Sequence, residues 1–117
     1  MMNAISIINT DTVQAFSDDI ETYVDPKRFR GNIHISGLEP FAELDWVGKR
    51  ISIGDVQLKI VQRTKRCPAT EVDLDTGTRD IKTPKLLLKH YGHMDMGVYG
   101  EVINGGTISN GDIVRVD

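Results

Sequence analysis

The sequence predicts a mostly β domain, a small β-barrel of six to seven short strands with two short helices. Two observations predict this class. Apolar and polar residues alternate over several short runs, and turn residues, above all glycine, separate these runs. A length of 117 residues with 39% hydrophobic content suits a single domain, residues 1–117, built around one core.

The N-terminal part is predicted to hold one strand and two short helices. Residues 4–8 form an apolar strand, and residues 9–11 supply side-chain oxygens that can accept from the free amides of a first helical turn. Asp25-Pro26 marks the start of a second, shorter helix. The first helix is indicated by apolar residues at the spacing i, i+3, i+7: Val13, Phe16 and Ile20.

The remainder of the chain reads mainly as strands. Residues 51–60 are the strongest hairpin, because Gly54-Asp55 separates two alternating runs and glycine adopts the positive φ that a tight turn requires. A helix is predicted to begin at Thr83-Pro84 and to end at Gly92. Further short strands are predicted around residues 33–35, 98–103, 108 and 113–116.

Composition and charge argue against several classes of protein. Fourteen basic against seventeen acidic side chains give a net charge of −3, so no nucleic-acid partner is expected. The apolar runs are too short to span a bilayer, and no export signal opens the chain, so no membrane partner is expected. A single cysteine excludes an intrachain disulfide and is typical of the reducing cytoplasm.

Cys67 is the first candidate functional residue. It follows a basic run with no acid, and cationic neighbours favour the thiolate, the form that attacks, carries sulfur or binds metal. Pro68 should end the strand and leave the sulfur accessible. The alternative is that Cys67 is a small buried apolar residue and that the basic residues are the solvated face of a strand. The basic run comprises Lys59, Arg63, Lys65 and Arg66.

The segment Arg28 to Asn32 is the second candidate. On an extended chain, Arg28 and Arg30 would point the same way and direct two guanidinium groups at one anion near Cys67. Asn32 adds a donor and an acceptor. The alternative is a pair of surface arginines on either side of a core residue, Phe29.

Other patterns are weaker indications of a site. His90 and His93 have the spacing of a metal-binding pair, but the predicted helix end at Gly92 separates them, so capping or surface roles are favoured. Asp73 to Gly77 is similar to the start of a calcium loop but lacks the later acidic ligands, and is interpreted as a turn.

Several motifs, taken in order, resemble the MOSC domain, the module at the C-terminal end of molybdenum cofactor sulfurases and in related molybdenum-binding reductases. The resemblance runs from about Ile5 to Val116. The motifs are Arg28-Phe29-Arg30-Gly31-Asn32, Glu39-Pro40-Phe41-Ala42-Glu43 with Trp46, Arg66-Cys67, Thr70-Glu71-Val72-Asp73, Thr76-Gly77, Gly97-Val98-Tyr99-Gly100-Glu101-Val102, Gly105-Gly106 and Gly111-Asp112.

This resemblance implies a β-barrel that binds the molybdenum cofactor (molybdopterin) or carries activated sulfur. It implies that Cys67 is the sulfur carrier or the molybdenum ligand, active in sulfur transfer or in molybdenum-dependent reduction. It also implies a partner such as a cysteine desulfurase or a molybdoenzyme, in a family associated with pyridoxal phosphate. The cofactor-binding residues that it indicates are Arg28, Arg30, Asn32, Lys65 and Arg66.

Compared with the family, the usual N-terminal half is expected to be absent. A partial barrel would leave strand edges unpaired, and a second copy could cover them, so a two-fold homodimer is predicted. The alternative function is a non-catalytic remnant or interaction module that keeps the fold and oligomerises. The core-facing residues expected to lack cover are Ile33, Ile35, Val98 and Val102.

Overall fold

A computed structural model describes residues 4–117, and six strands in this range form one sheet. The strands are β1 (Ala4–Asn9), β2 (Ile33–Ile35), β3 (Arg50–Ile53), β4 (Val56–Lys65), β5 (Asp95–Asn104) and β6 (Val114–Val116). Their order across the sheet is β2-β1-β5-β4-β3-β6. The predicted mostly β class is confirmed, although Ile108 lies outside the strands.

Pairing in the sheet is antiparallel except at one edge, where β1 and β2 run parallel. The predicted hairpin is confirmed as β3 and β4, joined at Gly54, whose φ is +55°. The longest pairing joins β4 to β5 and contains register irregularities, which bend the strands and curve the sheet.

Two α-helices are present among residues 4–117, α1 (Thr10–Asp19) and α2 (Thr83–Tyr91). As predicted, α1 is capped from residues 9–11, because the Asn9 side chain accepts a hydrogen bond from the Asp11 N–H at 3.0 Å. Gly92 ends α2 in the left-handed conformation, with a φ of +76°. Three 3-10 helices complete the secondary structure of this range: Pro26–Phe29, Ala42–Trp46 and Pro68–Glu71.

Alternate residues of the strands pack into two apolar clusters on opposite faces of the sheet. Ile7 belongs to the cluster enclosed by the curved sheet, and its neighbour Ile8 belongs to the cluster beneath the helices. The enclosed cluster comprises Ile7, Ile35, Leu44, Trp46, Ile51, Ile53, Val56, Leu58, Ile60 and Val98. The helix-covered cluster comprises Ile8, Val13, Phe16, Val24, Phe29, Ile81, Leu87 and Met96.

The sheet is a half-barrel whose two edges approach one another. Residues of β2 and β6 line the same cleft, of about 630 Å³, together with the loop that precedes β6. Exposed apolar side chains are found beside β6, where Ile113 is 69% exposed. The predicted lack of cover inside the sheet is wrong for Ile35 and Val98, which are buried, whereas Ile33 and Val102 are partly buried.

The predicted extended segment at residues 28–32 is wrong. Arg28 lies in the 3-10 helix Pro26–Phe29, because the Asp25 side chain caps it and proline favours its first turn. Arg30 then adopts a left-handed conformation with a φ of +55°. The two guanidinium groups therefore do not extend from one strand face.

Among residues 4–117, no helix has the length and apolarity that crossing a membrane requires.

Candidate functional site

Cys67 lies where β4 gives way to the 3-10 helix Pro68–Glu71, and its side chain is exposed. Its backbone caps this helix, because its carbonyl accepts from the Thr70 Oγ1 at 2.8 Å and from the Thr70 N–H at 3.1 Å. The predicted strand exit at Pro68 is confirmed, and the thiol is accessible, as the sequence indicated. On the other side, the Arg66 N–H donates to the Met94 carbonyl at 2.8 Å, so the backbone is held both before and after Cys67.

Arg66, the residue before Cys67, is turned into the protein and is only 9% exposed. Its Nε and Nη2 donate to the Met96 carbonyl at 2.8 and 2.6 Å, and its Nη1 donates to the Phe29 carbonyl at 3.0 Å. The guanidinium also lies over the Phe29 ring, 5.1 Å from its centroid. The positive charge next to Cys67 is therefore a fixed, buried one.

Burial disfavours the charged form of the Arg66 side chain. It lowers the pKa of Arg66 to about 10, and the opposing effect comes from the charged forms of Tyr99 and Cys67. Arg66 remains protonated at neutral pH.

Arg28 is held in a second buried contact close by. Its guanidinium forms two hydrogen bonds with Asp80, at 3.0 and 3.3 Å, and donates to the Thr70 carbonyl at 3.3 Å. The Arg28 side chain is 4% exposed and that of Asp80 is 39% exposed. The hydrogen bond from Arg28 lowers the pKa of Asp80 below its ordinary value. Arg28 thus ties its segment to the loop after Cys67.

The other predicted cofactor-binding residues are exposed. Arg30 and Lys65 both reach solvent, Lys65 being the last residue of β4. Asn32 is exposed too, but its side-chain Oδ1 accepts a hydrogen bond from the Ser6 N–H of β1 at 2.8 Å. Of the five residues, Arg66 has all three guanidinium nitrogens engaged inside the protein, whereas Arg28 has both Nη atoms engaged and a buried Nε without a hydrogen-bond partner. Direct contact of either residue with a cofactor stays a prediction.

One hydrogen bond brings the two candidate segments together. Arg66, which directly precedes Cys67, donates to the carbonyl of Phe29, and Phe29 lies between Arg28 and Arg30. Arg28 adds a second link through the Thr70 carbonyl. The structure therefore places both segments at the end of the sheet where β4 ends and β5 begins, although in a different conformation from the predicted one.

The sequence did not identify a buried carboxyl group on the other side of β5. Glu43 is fully buried and accepts from the Asn9 Nδ2 at 3.0 Å and from the Thr12 Oγ1 at 2.9 Å. Burial raises the pKa of Glu43, and the hydrogen bonds from Asn9 and Thr12 oppose this shift. Its place in the motif at residues 39–43 was the only signal, and nothing in that motif indicates burial.

The histidines contribute to no metal centre among the described residues. Gly92 ends α2 between His90 and His93, as predicted, and the His93 Nδ1 accepts from the Asp95 N–H at 3.0 Å. Throughout residues 4–117, no group of three or more histidine, cysteine or acidic side chains could hold a metal ion. The Asp73 side chain accepts from the N–H groups of Asp75 and Thr76 at 2.8 and 3.2 Å, so the predicted turn is present.

Comparison with known proteins places this arrangement in a family. The family model described as MOSC domain matches residues 1–115. The chain belongs to the MOSC domain family. The sequence-based resemblance is therefore confirmed, and it covers nearly the whole chain.

Curated relatives of this MOSC domain include larger proteins. It is 36% identical over 120 residues to mitochondrial amidoxime-reducing component 1 of Mus musculus, which covers 92% of this chain and 35% of that protein. It is 36% identical over 88 residues to molybdenum cofactor sulfurase of Danio rerio, covering 71% of this chain and 10% of that protein. The chain thus spans about a third or less of the length of these relatives.

Solved structures share the fold of this MOSC domain. YiiM from Geobacillus stearothermophilus superimposes with a TM-score of 0.71 at 17% identity, over 97% of this chain and 53% of that chain. The YUAD protein from Bacillus subtilis gives a TM-score of 0.64 at 16% identity, over 96% of this chain and 62% of that chain. Both chains are longer than this one, and both contain its curved sheet.

Proposed function

We propose that this MOSC domain binds the molybdenum cofactor, with the Cys67 thiolate as the ligand of the metal. The observation that carries the proposal is the exposed thiol at the end of β4, supported by the buried cation of Arg66. A soft thiolate suits molybdenum, and its family membership relates this chain to a molybdenum cofactor sulfurase.

The donors of the predicted site residues fit an anionic cofactor that contains a soft metal. Cys67 offers a thiolate, and Arg30 and Lys65 offer exposed cations for the phosphate. Asn32 keeps a side-chain amide donor, since only its oxygen is used by Ser6. The buried Arg66 would not contact the cofactor, and its positive charge would compensate the negative charge of the Cys67 thiolate. When bound, the cofactor would supply the redox chemistry of molybdenum.

The test is purification under anaerobic conditions from cells that make the cofactor, followed by molybdenum and pterin analysis. We expect stoichiometric metal in the wild type and none in Cys67→Ser. We expect Arg30→Ala to lose pterin, and Arg115→Ala, an exposed arginine on the far edge strand β6, to retain it. Wild-type protein without molybdenum and pterin, isolated from such cells, would refute the proposal.

The same exposed thiol supports a second candidate function, sulfur carriage. The Cys67 thiolate would attack the terminal sulfur of a donor persulfide, such as that of a cysteine desulfurase, forming a Cys67 persulfide and releasing the donor thiolate. A molybdoenzyme would be the acceptor. Intact mass after incubation with a persulfide donor distinguishes this function, since it adds one sulfur atom to the wild type and none to Cys67→Ser.

The open sheet edges favour a third candidate, an interaction module that forms a homodimer. β2 and β6 each have one unpaired edge within the described sheet, and apolar residues beside β6 are exposed, including Ile113 and Val116. Closed two-fold dimers are the commonest assembly of identical chains. Sedimentation equilibrium at micromolar concentration tests this candidate. A single species near 13.0 kDa would rule the dimer out.

A further inference from the structure

A groove of about 510 Å³ lies between the C-terminal end of α1 and the helix α2, and none of the predicted site residues lines it. This α2 groove has an apolar floor, formed by the buried Ile81 and the partly buried Ile20 and Leu86. Its rim is charged on both sides. Asp19 and Glu21 lie on the α1 side, and three exposed lysines lie on the α2 side: Lys82, Lys85 and Lys89.

The three lysines form a row whose positive charge is not compensated by ion pairs. Their spacing of three and four residues places them on one face of α2 and its cap, over a length of about 10 Å. None of them takes part in the ion pairs found among residues 4–117. The start of α2 adds to the positive potential, since no side chain caps it and no acidic residue lies in its first turn.

The acidic residues that line the α2 groove have partners other than these lysines. The Asp80 carboxylate accepts two hydrogen bonds from Arg28, at 3.0 and 3.3 Å. Asp19 accepts from the hydroxyl of Tyr91, in the last turn of α2, at 2.6 Å. The groove therefore presents a basic wall that is available to a ligand and an opposite, acidic wall that is held in place.

The length of the row and the mixed charge of the rim favour one kind of occupant. Seven residues separate Lys82 from Lys89, so the row suits several anionic groups in sequence better than a single small anion. Nucleic acid or an anionic membrane would bring uniform negative charge against Asp19 and Glu21 as well. A protein segment can place carboxylates at the lysines, an apolar side chain over the floor and a neutral residue beside the acidic wall.

We propose that the α2 groove docks an acidic segment of a partner protein, whose carboxylates pair with the three lysines and whose apolar side chain covers the floor. This inference goes beyond the proposed function and does not depend on the role of Cys67. The groove is joined to that region, because Thr83, the first residue of α2, donates to the Thr70 carbonyl at 3.0 Å, and the Thr70 hydroxyl donates to the Cys67 carbonyl at 2.8 Å. A partner along α2 would thus be held on an element that is fixed to the loop after Cys67.

The test uses a fluorescein-labelled helical peptide with glutamates at positions i, i+3 and i+7 and a leucine at i+4. Fluorescence anisotropy measures its affinity for the full chain, and backbone amide shifts in NMR spectra locate the contact. We expect binding that shifts the amides of α2 and of residues 19–22, and that is at least about fivefold weaker for the same peptide with glutamines in place of the glutamates. Added salt should weaken binding of the glutamate peptide, because it screens exposed charges.

Two charge reversals form a matched pair. Lys85 and Lys49 are both exposed, and only Lys85 lines the groove. We expect Lys85→Glu to weaken peptide binding at least about fivefold and Lys49→Glu to leave it within about twofold of the wild type. Because Lys85 lies in the first turn of α2, where the helix dipole favours an acid, Lys85→Glu should not lower the midpoint of thermal unfolding. A loss of binding in Lys85→Glu would then not be a loss of fold.

Several results would overturn the inference. They are no binding of the glutamate peptide at about 1 mM, equal binding of the glutamine peptide, unchanged binding in Lys85→Glu, an equal loss in Lys49→Glu, and amide shifts outside the groove. Phosphatidylserine vesicles and a single-stranded DNA oligonucleotide are the competing probes. If either bound more tightly than the peptide and lost its binding in Lys85→Glu, the groove would belong to a membrane or to nucleic acid instead.

Discussion

Replacement of Gly97 by alanine tests the close contact between β5 and β1 beside the Arg66 side chain. Gly97 has a φ of +80°, and an added Cβ would lie 2.7 Å from the Ile7 carbonyl oxygen and 2.8 Å from the Ile8 Cδ1. The first of these neighbours is backbone of the adjacent strand β1 and cannot rotate away. The substitution therefore combines conformational strain with a steric clash.

The two costs can be given separate magnitudes. A left-handed conformation costs a residue with a Cβ roughly 1–2 kcal/mol, and forcing an extra carbon into a packed interior costs typically about 1–3 kcal/mol. We therefore expect Gly97→Ala to lower the free energy of unfolding by about 2–5 kcal/mol, a large part of the stability of a small domain. Urea denaturation followed by circular dichroism measures this difference.

Alanine substitutions at two other glycines separate the cost of conformational strain from the cost of the steric clash. Gly92 also has a positive φ, of +76°, but nothing lies within 4 Å of a Cβ added there, so Gly92→Ala should cost about 1 kcal/mol from strain alone. Gly100 is on the same strand as Gly97 without a positive φ, and its nearest neighbour, the Ile60 Cδ1 at 3.3 Å, is a movable side-chain atom. Gly100→Ala should cost less than about 1 kcal/mol.

A loss of stability in Gly97→Ala no larger than that in Gly92→Ala would refute this expectation. The β1–β5 contact would then yield to a methyl group, and Arg66 could not be held as rigidly as the hydrogen bonds indicate. A second sign of the expected damage is faster hydrogen exchange at the Arg66 Nε–H in whatever fraction of the variant stays folded.

Three further predictions concern stability. Arg28 lowers the pKa of Asp80 from 3.8, so the Asp80 charge stabilises the fold above that pH. Asp80→Asn should therefore lower the free energy of unfolding by about 1–2 kcal/mol at pH 7, less than the loss of a fully buried pair. The difference should vanish as acid protonates Asp80 in the wild type, and a difference that persists in acid would contradict the prediction. Asn32→Ala should cost about 1 kcal/mol in urea denaturation by leaving the Ser6 N–H without its acceptor, and Asn32→Asp, which keeps an oxygen there, should cost less. Phe16→Ala, in the helix-covered cluster, should lower the free energy of unfolding by about 3–5 kcal/mol. A loss below about 1 kcal/mol would mean that burial of this ring does not stabilise the packing of α1 on the sheet.

Local signals in the sequence were sufficient for the elements that depend on near neighbours. The cap at Asn9, the turn at Gly54 and the helix end at Gly92 are each decided within a few residues, and all three are present in the structure. The exposed position of Cys67 belongs with them, because the adjacent Pro68 ends the strand.

The parts of the site that sequence reasoning missed depend on distant partners. From the sequence, Arg66 belongs to a basic run that could be the solvated face of a strand. Only the carbonyls of Phe29 and Met96, far away along the chain, turn its side chain inward. The burial of Glu43 likewise depends on Asn9 and Thr12, which lie about 30 residues earlier in the chain. The error at Arg28 was local, since the cap formed by Asp25 extends a 3-10 helix into a segment whose pattern indicated a strand.

The pairing of β1 with β5 has a consequence for folding. It joins Ala4 to Glu101, so the first strand of the half-barrel cannot pair with β5 until the chain has been made as far as residue 101. During synthesis, β1 can pair only with the three-residue strand β2 until β5 is made, whereas the hairpin of β3 and β4 can form from adjacent sequence. Contacts between residues so far apart slow folding, so assembly should begin at the hairpin, accept β5 next and add the N-terminal strand last.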